Sequence, residues 1–193
     1  MGTSAKPKRY FDLSDDVYVA GRWQLGSPVD EHGQEVDPWQ FTKGHPVQVQ
    51  SRLRVPLETK GNPLDFTLAG LDTPVVHVKV ASIFAEMAPN DVQLIPIDVE
   101  GQPEQFSILV ATKLIQCIDE KASEEVRRWK PEDGRPDKVG KYRVVAGMRI
   151  DPSRVDDAQV FRTWGWSIAL IVSAKIKEAL ERLKATGTRF KEV

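Results

Sequence analysis

Ile168–Val193 reads IALIVSAKIKEALERLKATGTRFKEV, and the order of residue types along it decides the fold class. Ile168 to Val172 is a five-residue aliphatic run, bounded by polar residues, that suits a buried strand. Ser173 follows directly, and a serine oxygen at that position can accept from the first free backbone N–H groups of a helix. Ile176, Leu180 and Leu183 then recur at i, i+4 and i+7, which predicts one apolar stripe on a helix running to about Ala185. Gly187 lies just past that end, where a left-handed residue is commonly needed. Thr188 to Val193 can return as a strand. The unit is strand, helix, strand.

The same unit is predicted once more upstream, over 75–96. Val75 to Val78 reads as a strand, Lys79 to Ala88 as a short helix that Pro89-Asn90 ends, and Val92 to Val99 as the next strand. Phe106 to Val110 follows across Glu100-Gly101-Gln102-Pro103, a hairpin signal. Val47 to Val55 alternates apolar and polar residues with period two and predicts a strand. Leu64 to Leu68, after the turn Lys60-Gly61-Asn62-Pro63, is expected beside it as an antiparallel neighbour. Arg9 to Leu25 suits short strands. Ser27 to Pro46, with three prolines, reads as a long surface loop and so as a candidate for function. Ser123 opens a possible helix that dissolves into a charged Pro and Gly loop by Pro131, and Tyr142 to Ile150 resumes as a strand. The expectation is an α+β fold: a mixed, largely antiparallel sheet, few helices, and a C-terminal strand-helix-strand unit. One domain over 1–193 is expected, divided into a strand-and-loop part (1–70) and the remainder (71–193).

Composition narrows the classes of function. Lys and Arg number 27 against 28 Asp and Glu, so the whole chain presents no basic field to draw in nucleic acid. The basic residues of 173–193 are not interleaved with aromatics as single-strand binding requires. A single cysteine, Cys117, excludes an internal disulfide and a thiolate zinc cluster, and points to a reducing compartment, the cytoplasm. The longest aliphatic run is far below the roughly 18 residues of a membrane span, and MGTSAKPKRYFDL carries no apolar run or myristoylation pattern.

Catalytic motifs are missing. His32, His45 and His77 are scattered rather than paired as zinc ligands are. Neither a Gly-rich phosphate loop nor a serine elbow occurs; Gly165-Trp166-Ser167 lacks the second glycine. Cys117, between apolar residues, reads as a small buried hydrophobe. Asp12, Asp15 and Asp16 are in a density typical of turns and caps. The residues left over for a partner are the acidic loop residues Asp30, Glu31, Glu35 and Asp37 and three tryptophans in or beside loops, Trp39, Trp164 and Trp166. Tryptophan combines large apolar area with a hydrogen-bond donor and little rotamer entropy to lose, which suits interface hot spots.

Two stretches carry a resemblance. VQLIPIDVEGQPEQFSILVATKLIQCIDEKAS (Val92 to Ser123) and VFRTWGWSIALIVSAKIKEALERLKATGTRFKEV (Val160 to Val193) resemble the eleventh immunity group of the bacterial polymorphic-toxin immunity proteins. The shared pattern lies in Val92 to Asp98, in Cys117 to Ser123, and in Val172, Ser173, Thr186, Gly187, Thr188 and Phe190. The resemblance implies an antidote, neither an enzyme nor a cofactor binder, that neutralises a cognate secreted or contact-delivered toxin encoded by an adjacent gene. It assigns no contact residues; Asp119, Ser123, Ser173 and Gly187 have adequate roles as turn, cap and helix-stop residues. If the toxin is a basic nuclease, the seven carboxylates between Asp12 and Asp37 would favour fast encounter. Two other readings stay open at this point: a non-catalytic scaffold or ligand-binding module, and an unrecognised enzyme whose acidic loop binds a divalent metal.

Overall fold

The computed structural model describes residues 8–70 and 72–193. Most of the N-terminal stretch read above for targeting signals therefore lies outside the described residues. In chain order the elements are β1 (Tyr10–Asp15), β2 (Gln24–Leu25), β3 (Leu53–Val55), β4 (Leu57–Thr59), β5 (Phe66–Ala69), β6 (Thr73–His77), α1 (Val78–Met87), β7 (Val92–Val99), β8 (Phe106–Ala111), β9 (Leu114–Ile115), β10 (Glu125–Arg128), β11 (Tyr142–Ala146), β12 (Val160–Thr163), β13 (Trp166–Ser173), α2 (Ala174–Leu183) and β14 (Thr188–Glu192).

The strands form a seven-stranded sheet in the order β3-β7-β8-β6-β5-β2-β4, a five-stranded sheet in the order β14-β1-β13-β12-β9, and the hairpin β10-β11. Most neighbours are antiparallel; β3 with β7, β2 with β5 and β12 with β9 run parallel. This is the expected mixed α+β architecture, with its C-terminal strand-helix-strand unit.

Both strand-helix-strand units are split by a third strand. β6, α1 and β7 enclose β8, which is antiparallel to both strands. β13, α2 and β14 enclose β1 in the same way. Each unit thus lays its two strands parallel with one antiparallel strand between them. The helices share one core: Val80 and Phe84 of α1 meet Ile176 and Leu180 of α2, Phe11 and Leu13 of β1, and Leu109 of β8. Strand alternation sends the intervening residues to the outer faces. Ile108 and Val110 join Trp23, Phe41 and Val75 in a second cluster, and Ala169 and Ile171 join Tyr10, Cys117, Tyr142 and Phe161 in a third.

The helix ends follow the sequence. The Ser173 hydroxyl accepts from Ile176 N at 3.4 Å and donates to Gln159 Oε1 at 2.8 Å. The helix stops at Leu183, two residues earlier than the periodicity suggests, because Lys184 itself takes the left-handed conformation at φ 55°. Gly187, at φ 83°, turns the chain into β14.

Three local expectations are corrected. Val47 to Val55 keeps its alternation of exposure, but only Leu53–Val55 is in a ladder. The backbone of Val47 is bound instead by the Gln93 side chain, which donates to its carbonyl and accepts from its N–H, both at 2.8 Å. Residues 60–63 do not turn β5 back onto β3. Asn62 lies beside Gly21 and Trp23 through backbone hydrogen bonds of 2.7 and 3.2 Å, and β5 pairs with β6. The stretch after Ser123 is a strand, not a helix: β10 pairs with β11, and Val126 packs against the third cluster.

Candidate functional site

The long loop after β2 has two parts with different jobs. Its first part is a tight acidic turn. The Asp30 carboxylate accepts from the backbone N–H groups of His32 (2.8 Å) and Gln34 (2.9 Å), and those bonds hold its pKa below the usual carboxylate range. Val29 exchanges backbone hydrogen bonds with Arg54 at 2.8 and 2.9 Å, which ties the turn to β3. Glu31 and Glu35 point to solvent. A shallow depression of about 270 Å³ lies between this turn and Gln48 to Ser51.

The second part is a short 3-10 turn, Pro38–Thr42. The Asp37 carboxylate caps it by accepting from Trp39 N at 3.0 Å. Phe41 is wholly buried and pegs the turn to the second core, while Trp39 is 52% exposed. Consecutive residues face different ways: Gln40 borders the acidic depression and Trp39 borders a separate groove. Beyond the turn, Gly44 packs on Leu114 of β9, so the loop spans from one sheet to the other.

That groove, of about 670 Å³, is the main concave surface with unspent chemistry. Three tryptophans line it: Trp39, Trp129 and Trp166, with Tyr142 and Ile168. Trp166 and Tyr142 are brought together by the turn between β12 and β13. Tyr142 N donates to Gly165 O at 3.1 Å, and a Cβ on Gly165, which sits at φ 78°, would lie 3.0 Å from the Tyr142 ring. Only glycine makes that approach without strain. Trp129 closes the neck of the charged loop between β10 and β11: its N–H donates to Lys141 O at 2.9 Å, and its carbonyl accepts from Gly140 N at 3.0 Å.

The rim of the groove is basic. Lys43, Arg135, Lys138, Lys141 and Arg143 line it with one carboxylate, Asp137. Arg135 pairs with Asp137 at 3.1 Å and Arg143 with Asp133 at 2.6 Å. Lys138 and Arg143 both sit over the Trp129 ring, 5.3 and 5.0 Å from its centroid, in cation-π contact.

Under the groove, Trp166 and Ile168 also border a smaller cleft of about 200 Å³ that holds Asp12, Asp72 and Arg162. Arg162 is 1% exposed. Its Nη1 donates to Ile168 O at 2.9 Å, and its Nε and Nη2 find no acceptor among the described residues. Burial lowers the guanidinium to about 10, so it stays charged, and burial raises the Asp12 carboxyl to about 6 despite the nearby Arg162 charge. Another depression, of about 650 Å³, lies beside Arg22 and Asp15. Those two side chains bind each other at 2.6 Å, and Arg22 also donates to Thr67, Trp23 O and Asp16 O, so its guanidinium donors are all engaged.

Trp39 and Trp166, both singled out from the sequence, thus share one groove. Trp164 is half-buried in the adjoining turn, its backbone N–H donating to Ile115 O at 2.8 Å, and does not line the groove. Asp30 and Asp37 spend their carboxylates on turn and cap; Glu31 and Glu35 do not. Sequence reasoning does not single out Trp129, which falls in the stretch read as helix, or Arg135, Lys138 and Lys141, which fall in the charged loop after it. Trp129 and Tyr142, framing a Pro and Gly loop, were the hairpin signal available.

Asp119 accepts from the backbone of Lys121 and Ala122 at 3.0 and 3.1 Å, and Ser123 bonds back to it, so these motif residues are architectural. Among the described residues no three His, Cys, Asp or Glu side chains gather as a metal cage, and no helix is long and apolar enough to cross a membrane. Cys117 is fully buried, and burial pushes its thiol up to about 12. A family model described as an immunity protein family (Imm11) matches residues 34–193.

The chain belongs to the Imm11 immunity protein family. The match begins within the acidic turn, far upstream of the Val92 motif that first suggested the kinship, and it takes in the whole aromatic groove. β1 and β2 precede it, although β1 is the strand that β13 and β14 enclose. No curated protein matches this chain.

Proposed function

We propose that this Imm11 protein acts in the cytoplasm as a single-domain antidote. It binds a secreted or contact-delivered toxin encoded by an adjacent gene and blocks it by occupying its surface, without chemistry of its own. The observation that carries this reading, beside the family, is the Trp39, Trp129 and Trp166 groove. A half-exposed indole held on a pegged turn offers a large apolar contact that loses little entropy on binding, and such residues dominate interface energetics. Burial on the order of 1,600 Å² is typical of a stable complex, more than the groove alone supplies. The acidic turn, with Asp30, Glu31, Glu35 and Asp37 across the same 3-10 turn, and Trp164 beside Trp166, extend the contact.

Co-expression of the full chain with the adjacent gene product, followed by co-purification and a growth-rescue assay, tests the proposal. Rescue with a stoichiometric complex is the expected result. For Trp39→Ala, affinity is expected to fall at least tenfold with the fold unchanged by circular dichroism. Absence of both rescue and complex would remove the antidote reading.

A further inference from the structure

The aromatic groove has a sign as well as a shape. Five cations line it against one carboxylate, Asp137, which is paired with Arg135, while Arg143 is paired with Asp133 outside the lining. Lys43, Lys138 and Lys141 have no carboxylate within ion-pair distance among the described residues. The depression on the other side of the Pro38–Thr42 turn is lined by Asp30 and Glu31. The face is therefore bipolar, with Trp39 at the boundary.

We infer that the groove receives an acidic, carboxylate-rich segment of the partner protein, so that the antidote grips its toxin by the toxin's negative surface. This rests on the antidote reading above and adds the chemistry of the partner. Two kinds of polyanion fit a basic rim, and the arrangement of the indoles separates them. Single-stranded nucleic acid needs open aromatic faces on which bases stack. The Trp129 ring is covered by Lys138 and Arg143 and Trp166 is partly buried, so of the three indoles Trp39 alone is largely exposed and the groove offers no series of open faces. What the groove offers is ammonium groups around two apolar anchors, Trp39 at 52% and Ile168 at 49% exposure. A protein ridge that presents Asp and Glu beside an apolar side chain satisfies both, and opposite charges on facing patches speed encounter more than they raise affinity.

The test uses the full chain and the adjacent gene's toxin, with association rates measured at low and high salt. For Lys43→Glu/Lys141→Glu, association is expected to slow at least tenfold at about 20 mM salt, with most of the difference gone at about 0.5 M, where charges are screened beyond a few ångströms. Lys60→Glu/Lys175→Glu, which makes the same change in net charge elsewhere, is the control and should leave the rate within twofold. Lys43→Glu alone, at an exposed side chain, gives a smaller slowing and serves if the double variant does not fold. An unchanged or faster rate for the groove variants, with wild-type binding intact, overturns the acidic-partner inference and leaves the antidote reading standing. Wild-type protein that binds no toxin overturns both. Quenching of indole fluorescence by a twenty-residue oligothymidylate that competes with the toxin also overturns the inference, assigning the groove to nucleic acid.

Discussion

Replacing Asp12 with Asn should stabilise this protein at neutral pH and do progressively less as the pH falls. Asp12 lies in the cleft with Arg162 and Asp72, and Lys191 also acts on it. Burial places its carboxyl at about 6 in the folded chain against 3.8 as its ordinary value, even after the attraction of Arg162. The folded state therefore holds the proton more tightly than the unfolded state does. Below pH 3.8 both forms are protonated and the site is neutral in its effect. Between 3.8 and 6 the unfolded chain ionises first and stability falls as pH rises; above 6 the full cost is in place. A gap of about 2 pH units at 1.36 kcal/mol each is about 3 kcal/mol. Asn carries no charge to desolvate, so Asp12→Asn should gain up to about 3 kcal/mol at pH 7.5 and about 1 kcal/mol at pH 4.5. Urea unfolding at both pH values reads this as a rise in midpoint of roughly 1 to 2 M at pH 7.5, for a slope of about 2 kcal/mol per molar. A variant less stable than the wild type at pH 7.5 would show that the Asp12 charge is needed to hold Arg162, and would refute the ordering of burial over attraction.

Three further outcomes follow from the packing. Asp15→Ala leaves Arg22 without its carboxylate in a nearly closed setting, and a loss of about 3 to 5 kcal/mol in urea unfolding is expected; a cycle with Arg22→Met should recover part of it. Gly187→Ala forces a Cβ to within 2.0 Å of Phe66 O at φ 83°, so a loss of at least about 2 kcal/mol is expected and a neutral result in thermal unfolding would contradict the geometry. Cys117, buried with its thiol held near 12, should resist a thiol-specific disulfide reagent until the protein unfolds. Its labelling rate should track the fraction unfolded across a urea series, and fast labelling of native protein would contradict the burial.

The elements that were legible in the sequence are those whose instructions are local. β13, α2 and β14 are specified by a buried run, a serine cap and an apolar stripe within 26 residues, and the path from β6 through β8 is specified in the same way. Val47 to Val55 shows the limit of such patterns. Alternation reports which side chains face inward, but whether a ladder forms depends on a neighbour, and here Gln93 takes the backbone groups of Val47. The β10 segment was misread because its partner β11 lies beyond a thirteen-residue excursion, and glutamates followed by arginines carry helix propensity until a strand claims them. The same distance hid the groove: Trp39, Trp129 and Trp166 meet only when three loops from different parts of the chain converge, and no spacing along the chain encodes that.

β1 between β13 and β14 has a consequence for the order in which the protein is made. Tyr10 pairs with Ser173 and Phe11 with Glu192, so the earliest strand has hydrogen-bonding partners that leave the ribosome more than 150 residues later. Contacts so distant in sequence are slow to form because the intervening chain must first be closed into a loop. Until residue 173 is available β1 has neither neighbour, and until β14 is available it has only one, so Phe11 and Leu13 are the last part of the inner core to be enclosed. The five-stranded sheet is thus expected to close only after β14 has been made, whereas β5 to β8 pair with one another without it. An Imm11 chain built this way keeps the two ends of the described fold side by side, so the sheet that carries α2 depends on contacts that no shorter stretch of the chain can make.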